Sequence, residues 1–155
     1  MTTKQKRNKG DIVQIDLGHG RYGYAQLLDP PLVALFDVAS GVPLATNEIV
    51  SSPVAFCVWV MESAITGGDW RVVGNARIPD QIDQSPPFFK KDRISGTFSI
   101  TYTGAEEEPA TFQQIKSMEC AAVWNPEHVV DRLNDHFDSR PNKWVSLLKP
   151  VQPEA

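Results

Sequence analysis

Three side chains toward the end of the chain have a spacing that could support metal chemistry. His128, Asp131 and Asp135 follow an i, i+3, i+7 pattern, so a helix would present one nitrogen and two carboxylates on one face. A divalent cation bound there could activate a water molecule for hydrolysis. The chain has only three histidines, and neither a His-x-His nor a His-Glu-x-x-His spacing supplies further ligands. We therefore predict a solvated face on which the aspartates pair with Arg132, and a protein without a cofactor.

Nucleophilic catalysis has equally little support in the sequence. There is no Gly-x-Ser-x-Gly turn and no Gly-x-x-x-x-Gly-Lys phosphate loop. Cys57 is formally a nucleophile, but Phe56, Val58 and Trp59 surround it with apolar side chains, which is typical of a core cysteine. These patterns favour a protein that acts by binding and has no catalytic residues.

The charge of the chain indicates what kind of partner it would bind. Four of the fifteen basic residues lie in the first ten positions, which leaves eleven against nineteen acidic residues. An acidic surface disfavours nucleic acid, because phosphates require a basic face, and it complements a basic protein. No apolar window is long enough to span a membrane, and residues 1–7 lack the apolar stretch of a secretory signal. We expect a cytoplasmic protein that binds neither nucleic acid nor membrane.

Aromatic and acidic side chains at predicted strand edges and in a proline-rich segment are the candidates for contact with a protein partner. Aromatic rings provide large and rigid contact areas, and carboxylates steer a basic partner toward the interface. We expect the candidates to form one mixed aromatic and acidic surface. They are Arg21, Tyr22, Tyr24, Asp29, Asp37, Phe88, Phe89, Glu106, Glu107 and Glu108.

The first half of the chain is predicted to build a sheet from local hairpins. Residues 10–17 and 22–28 alternate apolar and polar side chains, and Gly18 and Gly20 allow the positive φ angles of a tight turn. Further predicted elements are a strand over 32–38, a helical turn over 46–50, a central strand over 54–61 and a strand over 70–74 paired beside it.

The second half is predicted to contain a long irregular connection and then helices. Residues 78–92 are rich in proline and polar residues, and 97–102 alternates as a strand. Thr111 and Gln114 match a capping box that begins a helix over 112–117. Asn125 followed by proline starts a second helix. An apolar stripe on that helix would pack on the sheet, and its members are Val129, Val130, Leu133 and Phe137.

Together these elements predict an α+β fold. Its sheet would be a strongly bent antiparallel sheet or an SH3-like partial barrel, with two C-terminal helices packed on it. The length of 155 residues suits one domain, which we place at residues 10–150. We expect residues 1–9 to be a flexible basic tail and residues 151–155 a flexible C-terminus.

Two stretches resemble the opening and closing signatures of the immunity protein 26 family. The first runs over residues 9–13 and 20–26, and the second over residues 121–133 and 140–144. The resemblance implies a small cytoplasmic protein of a bacterial polymorphic toxin system. Such a protein would bind and neutralise a cognate toxin domain without catalysis.

Two alternatives stay open at this point. The same resemblance carries the label of a small phosphotriesterase of the HocA type, which would hydrolyse organophosphates and for which His128, Asp131 and Asp135 are the available metal ligands. An SH3-like module would instead bind proline-rich peptides in a groove of Tyr22, Tyr24 and a tryptophan. The sequence indicates neither the toxin nor the oligomeric state.

Overall fold

The computed structural model describes residues 4–102 and 107–152, and these residues form two β-sheets and five helices. The strands are β1 (Asp11–Asp16), β2 (Tyr22–Leu27), β3 (Leu32–Ser40), β4 (Val54–Val60), β5 (Arg71–Asn75), β6 (Pro87–Lys91), β7 (Phe98–Tyr102), β8 (Glu108–Ala110), β9 (Glu119–Cys120) and β10 (Val123–Trp124). The helices are α1 (Thr46–Val50), α2 (Ser63–Thr66), α3 (Phe112–Ile115), α4 (Pro126–Phe137) and α5 (Lys143–Leu148).

The larger sheet has six strands in the order β10-β4-β3-β2-β1-β5. Strands β1 to β4 pair antiparallel with their sequence neighbours, as the local hairpins predict. The first turn uses Gly18, His19 and Gly20 at φ values of 83°, 53° and 71°, which confirms the glycine-dependent turn. The prediction that residues 70–74 pair beside the strand over 54–61 is wrong. Strand β5 pairs with β1, because β10 occupies the free edge of β4 in parallel orientation.

The smaller sheet has four strands in the order β8-β7-β6-β9, and the sequence did not indicate it as a separate sheet. Strand β6 lies inside the segment predicted to be irregular. Pro87 is its first residue, a position where a strand tolerates the missing N–H group. Strand β9 joins β6 in parallel orientation, so both sheets are mixed. The α+β fold class is confirmed, and the described sheets are curved without closing into a barrel.

Apolar side chains cover both faces of the larger sheet. One face packs against Val129 and Leu133 of α4, which confirms the apolar stripe predicted for that helix. Trp144, Val145 and Leu148 of α5, a helix that the sequence analysis did not predict, join the edge of this cluster. The opposite face buries residues such as Tyr24 and Phe36. The core of the smaller sheet contains Phe89, Phe98 and Ile115.

The described part of the basic N-terminal tail contacts the larger sheet. Arg7 Nη2 donates to the carbonyl oxygens of Leu28 and Leu32, each at 2.8 Å. The Gln5 side chain accepts from the Val72 backbone N–H at 3.1 Å. The flexibility expected of residues 1–9 stays a prediction, as do the single-domain boundaries.

Candidate interaction surface

Three of the predicted contact residues lie in the core. Tyr24 is fully buried, and its hydroxyl accepts from the backbone N–H of Leu44 at 3.1 Å. Phe88 and Phe89 are 1% and 4% exposed, and the ring of Phe88 packs 4.8 Å from that of Trp59. The expectation that these three rings are exposed is wrong, because strands β2 and β6 bury them between layers.

Arg21 holds the start of β2 against the end of α4. Its Nη2 donates to Asn134 Oδ1 at 2.6 Å, and its Nη1 donates to Asp138 Oδ1 at 3.0 Å. The hydrogen bond from Arg21 lowers the pKa of Asp138 below its usual range. Tyr22 is half-buried against the opposite face of the sheet. These contacts give Arg21 and Tyr22 a structural role.

The acidic candidates lie on separate elements, and three of them already have a basic side chain as a partner. Asp29 pairs with Lys9 at 3.2 Å, Asp37 with His136 at 2.7 Å, and Glu107 with Lys90 at 2.7 Å. Glu108 is exposed at the start of β8, and Glu106 lies outside the described residues. A role for these residues in binding a partner stays a prediction.

Helix α5 packs along the face of α4 that was predicted to be solvated, although Asp131 is still exposed there. The His128 ring stacks on that of Trp144 with 3.6 Å between centroids, and Trp144 Nε1 donates to Asp131 Oδ2 at 3.0 Å. Asn142 Nδ2 donates to Asp135 Oδ2 at 2.9 Å. All three potential ligands are therefore used in helix packing. Within residues 4–102 and 107–152, no group of three or more His, Cys, Asp or Glu residues is placed to hold a metal ion.

Arg132 does not pair with the aspartates of its own helix, contrary to the prediction. Its guanidinium makes two hydrogen bonds to the carboxylate of Glu119, at 2.9 and 2.8 Å. Its Cζ lies 3.7 Å from the centroid of the Phe56 ring. Glu119 belongs to β9 and Phe56 to β4, so one side chain of α4 connects the two sheets.

Cys57 is a poor nucleophile in this structure. The residue is half-buried, and burial raises the pKa of its thiol to about 11, with Asp83 and Glu119 adding to the shift. Because the thiolate is the reactive form, the protonated thiol expected at neutral pH reacts slowly.

Two grooves flank the first two turns of α4. We call the first the apolar groove. It has a volume of about 220 Å³ and opens between β10, α4 and α5. Val123 and Leu147 at its rim are 55% and 74% exposed, and the stacked rings of His128 and Trp144 form part of its wall. Exposed apolar side chains beside an aromatic ring are typical of protein interfaces.

We call the second the acidic groove. It has a volume of about 340 Å³ and opens between the end of β1, the segment before β5, and α4. Asp16, Asp69 and Glu127 contribute carboxylates to its lining. Its apolar lining consists of Ile15, Trp70, Pro126 and Val130.

The sequence analysis found neither groove, although it named His128. The three carboxylates of the acidic groove come from three distant parts of the chain, and only the fold brings them together. For α5, a usable signal was present: Asn142 follows a proline and caps the helix by accepting from the Val145 N–H at 3.0 Å.

Comparison with known proteins gives one family. A sequence profile of immunity protein 26 matches residues 8–100, which is more than half of the chain. The match includes the first stretch of the resemblance, at residues 9–26, and ends before the second stretch. No curated protein and no solved structure matches the chain. In the part of the chain that the structure describes, no helix has the length and apolar content to cross a membrane.

Proposed function

Because the chain belongs to the immunity protein 26 family, we propose that it is a bacterial immunity protein that binds and neutralises the cognate toxin domain of a polymorphic toxin system. The family match over residues 8–100 is the observation that carries this proposal. An immunity protein acts on a partner protein, and the cognate toxin domain is the partner proposed for this chain. The site of action is the cytoplasm, and the two free cysteines are consistent with a reducing compartment.

Neutralisation proceeds by occlusion, without catalysis by the immunity protein. The side chains that a hydrolase would need have structural partners: His128 stacks on Trp144, and Asp131 and Asp135 accept hydrogen bonds from α5. The raised pKa of Cys57 supports the same reading, since its thiol is protonated at neutral pH. The described residues offer no observation that favours a phosphotriesterase or a proline-peptide module.

Electrostatic attraction brings the two proteins together. The net charge of −4 is complementary to a basic toxin domain, as expected for a toxin that acts on nucleic acid or another anionic target. Complementary charges increase the rate of association, whereas buried apolar contacts slow dissociation. The acidic and apolar grooves beside α4 would supply one contribution each.

The test is a binding and rescue experiment with the toxic C-terminal domain encoded next to this gene. Co-expression is expected to restore growth, and calorimetry is expected to give a nanomolar Kd with one toxin domain bound per chain. A protein of equal size and net charge serves as the control for nonspecific attraction. If the chain neither binds nor rescues, the proposed function is wrong.

The same pair of proteins tests whether neutralisation is catalytic. Toxin activity is titrated with increasing amounts of the immunity protein. Occlusion predicts that activity falls linearly and reaches zero at equimolar protein. Complete loss of activity at a small fraction of that amount would indicate turnover and contradict a purely binding role.

A further inference from the structure

The acidic groove has room for one long side chain. Its volume of about 340 Å³ lies at the lower end of the range for ligand pockets. Trp70 and Ile15 are 2% and 1% exposed, so the rigid core of the sheet forms its floor. An apolar floor below polar groups favours a side chain with an aliphatic stem and a polar head.

The carboxylates around this floor favour a positively charged head group. Asp16, Asp69 and Glu127 are all exposed, and the described lining contains no lysine or arginine. Asp16 accepts a hydrogen bond from the Gly18 N–H at 2.8 Å through Oδ1, which leaves its Oδ2 available. The side chains of Asp69 and Glu127 have no hydrogen-bond or ion-pair partner among the described residues. Like charges that share a concave surface generate a negative potential, which a cation would relieve.

Many other carboxylates of the described chain have a cation of their own. Asp29 pairs with Lys9, Asp138 with Arg21, and Glu119 with Arg132. Glu127 has a partial structural explanation, because an acidic residue in the first turn stabilises helix α4. Asp69 has no comparable explanation, since it lies before β5 and outside any helix.

The apolar groove and the acidic groove both use residues at the start of α4. Asn125 and His128 line the apolar groove, whereas Pro126 and Glu127 line the acidic one. A partner placed over these turns would therefore contact exposed apolar side chains and unpaired carboxylates together. Protein interfaces typically combine apolar side chains that become buried on binding with charged contacts beside them.

We infer that the acidic groove is a docking site for an arginine or lysine side chain of the partner protein. The stem of that side chain packs on Trp70 and Val130, and its head group is bound by Asp16, Asp69 and Glu127. The identification of the partner as a toxin domain rests on the proposed function. The preference of the groove for a basic side chain rests on the geometry and charge described above.

The first experiment tests the groove without a toxin. The full chain is titrated with N-acetyl-arginine amide and, in parallel, with N-acetyl-citrulline amide, which has the same shape without the charge. NMR shifts of the Trp70 indole N–H and of the Asp16, Asp69 and Glu127 amides report binding. We expect saturable shifts at these positions with the arginine compound, and affinity at least about tenfold weaker with citrulline.

Paired variants locate the binding site. D69N combined with E127Q should weaken binding of the arginine compound about tenfold. E48Q combined with D80N removes two exposed carboxylates outside the groove and should leave binding within about twofold. Equal shifts at all exposed carboxylates, or equal affinity of the two double variants, would overturn the inference.

The second experiment measures the Kd of the same two double variants for the neighbouring toxin domain. D69N/E127Q should weaken binding about tenfold relative to E48Q/D80N. Tight binding that is unchanged in D69N/E127Q would overturn the groove as the docking site while leaving the proposed function intact. If the arginine compound occupies the groove but no toxin domain binds, the proposed function fails and the preference of the groove is supported.

Discussion

The two sheets of this protein are stabilised in different ways. The larger sheet buries apolar side chains on both faces, and residues such as Leu35 and Phe36 of β3 are inaccessible to solvent. The described core of the smaller sheet is a small cluster around Phe89, Phe98 and Ile115. Because stabilisation by burial grows with the apolar area removed from water, the larger sheet gains far more from this effect.

The smaller sheet therefore depends on its attachments to the rest of the molecule. Arg132 bonds to Glu119 of β9 while it stacks on Phe56 of β4, and the Phe88 ring packs against Trp59. A region with few buried contacts opens at a lower free energy than the core. We infer that the larger sheet determines global stability, whereas single polar contacts determine whether the smaller sheet stays closed.

The largest expected effect comes from a cavity in the larger sheet. Leu35 is fully buried in β3, so L35A should lower the free energy of unfolding by about 2–5 kcal/mol, measured by urea denaturation. Hydrogen exchange should accelerate in both sheets, since unfolding of the larger sheet leaves the smaller one without support. L147A is the matched control, because Leu147 is 74% exposed, and its effect should be within about 0.5 kcal/mol. Similar losses in both variants would show that burial in the larger sheet does not determine global stability.

A smaller but more selective effect is expected for R132M. Methionine keeps much of the packing on Phe56 but removes both hydrogen bonds to Glu119, so we expect a loss of about 1–3 kcal/mol. The Arg132 side chain is only 12% exposed, and solvent therefore screens the pair weakly. Hydrogen exchange should accelerate more in β6 and β9 than in β2 and β3.

R140M is the control for this prediction. Arg140 also pairs with two carboxylates, of Asp135 and Asp138, but its side chain is 60% exposed. We expect a change of about 0.5 kcal/mol or less. If R132M accelerates exchange uniformly over both sheets, Arg132 acts as an ordinary core residue and the proposed attachment is wrong.

The third prediction concerns the short helix that packs on β7. Thr111 accepts from the Gln114 N–H at 3.3 Å, and the Gln114 side chain accepts from the Thr111 N–H at 2.8 Å, as the capping box predicted. T111A should destabilise α3 by about 1 kcal/mol, and the effect should be measurable as faster exchange in α3 and β7. T111S keeps the hydroxyl group and should restore most of the protection. Equal exchange in T111A and the unmodified chain would show that α3 is held by packing alone.

The sequence predicts strand pairs between chain neighbours better than pairs between distant segments. Strands β1 to β4 pair with their neighbours along the chain. Alternation and the turn at Gly18 were sufficient to predict β1 and β2, and continuous apolar runs predicted β3 and β4. The parallel pairs β4–β10 and β6–β9 join segments far apart in sequence, and no local pattern encodes them. Proline content then led to an irregular assignment for residues 87–91, although Phe88 and Phe89 are buried there.

At the candidate site, too, the sequence could not predict contacts between distant segments. Arg132 was assigned to a solvated face because helical periodicity places it opposite Val129, but Glu119 and Phe56 lie beside it only after the chain folds. Likewise, the acidic groove exists because the end of β1 and the segment before β5 converge on α4. Charge composition indicated a basic partner, whereas the groove that we propose for it forms only in the tertiary structure.

The smallest effect is expected at the exposed edge of the smaller sheet. Lys90 Nζ lies 2.7 Å from Glu107 Oε1, and the two side chains are 44% and 51% exposed. K90Q should change the free energy of unfolding by less than about 0.5 kcal/mol, and salt should abolish the difference, because exposed ion pairs are screened. Denaturation at low and high ionic strength provides the measurement. A loss close to that of R132M would mean that surface pairs hold the smaller sheet closed as strongly as the buried contact that α4 provides, which would contradict the proposed attachment.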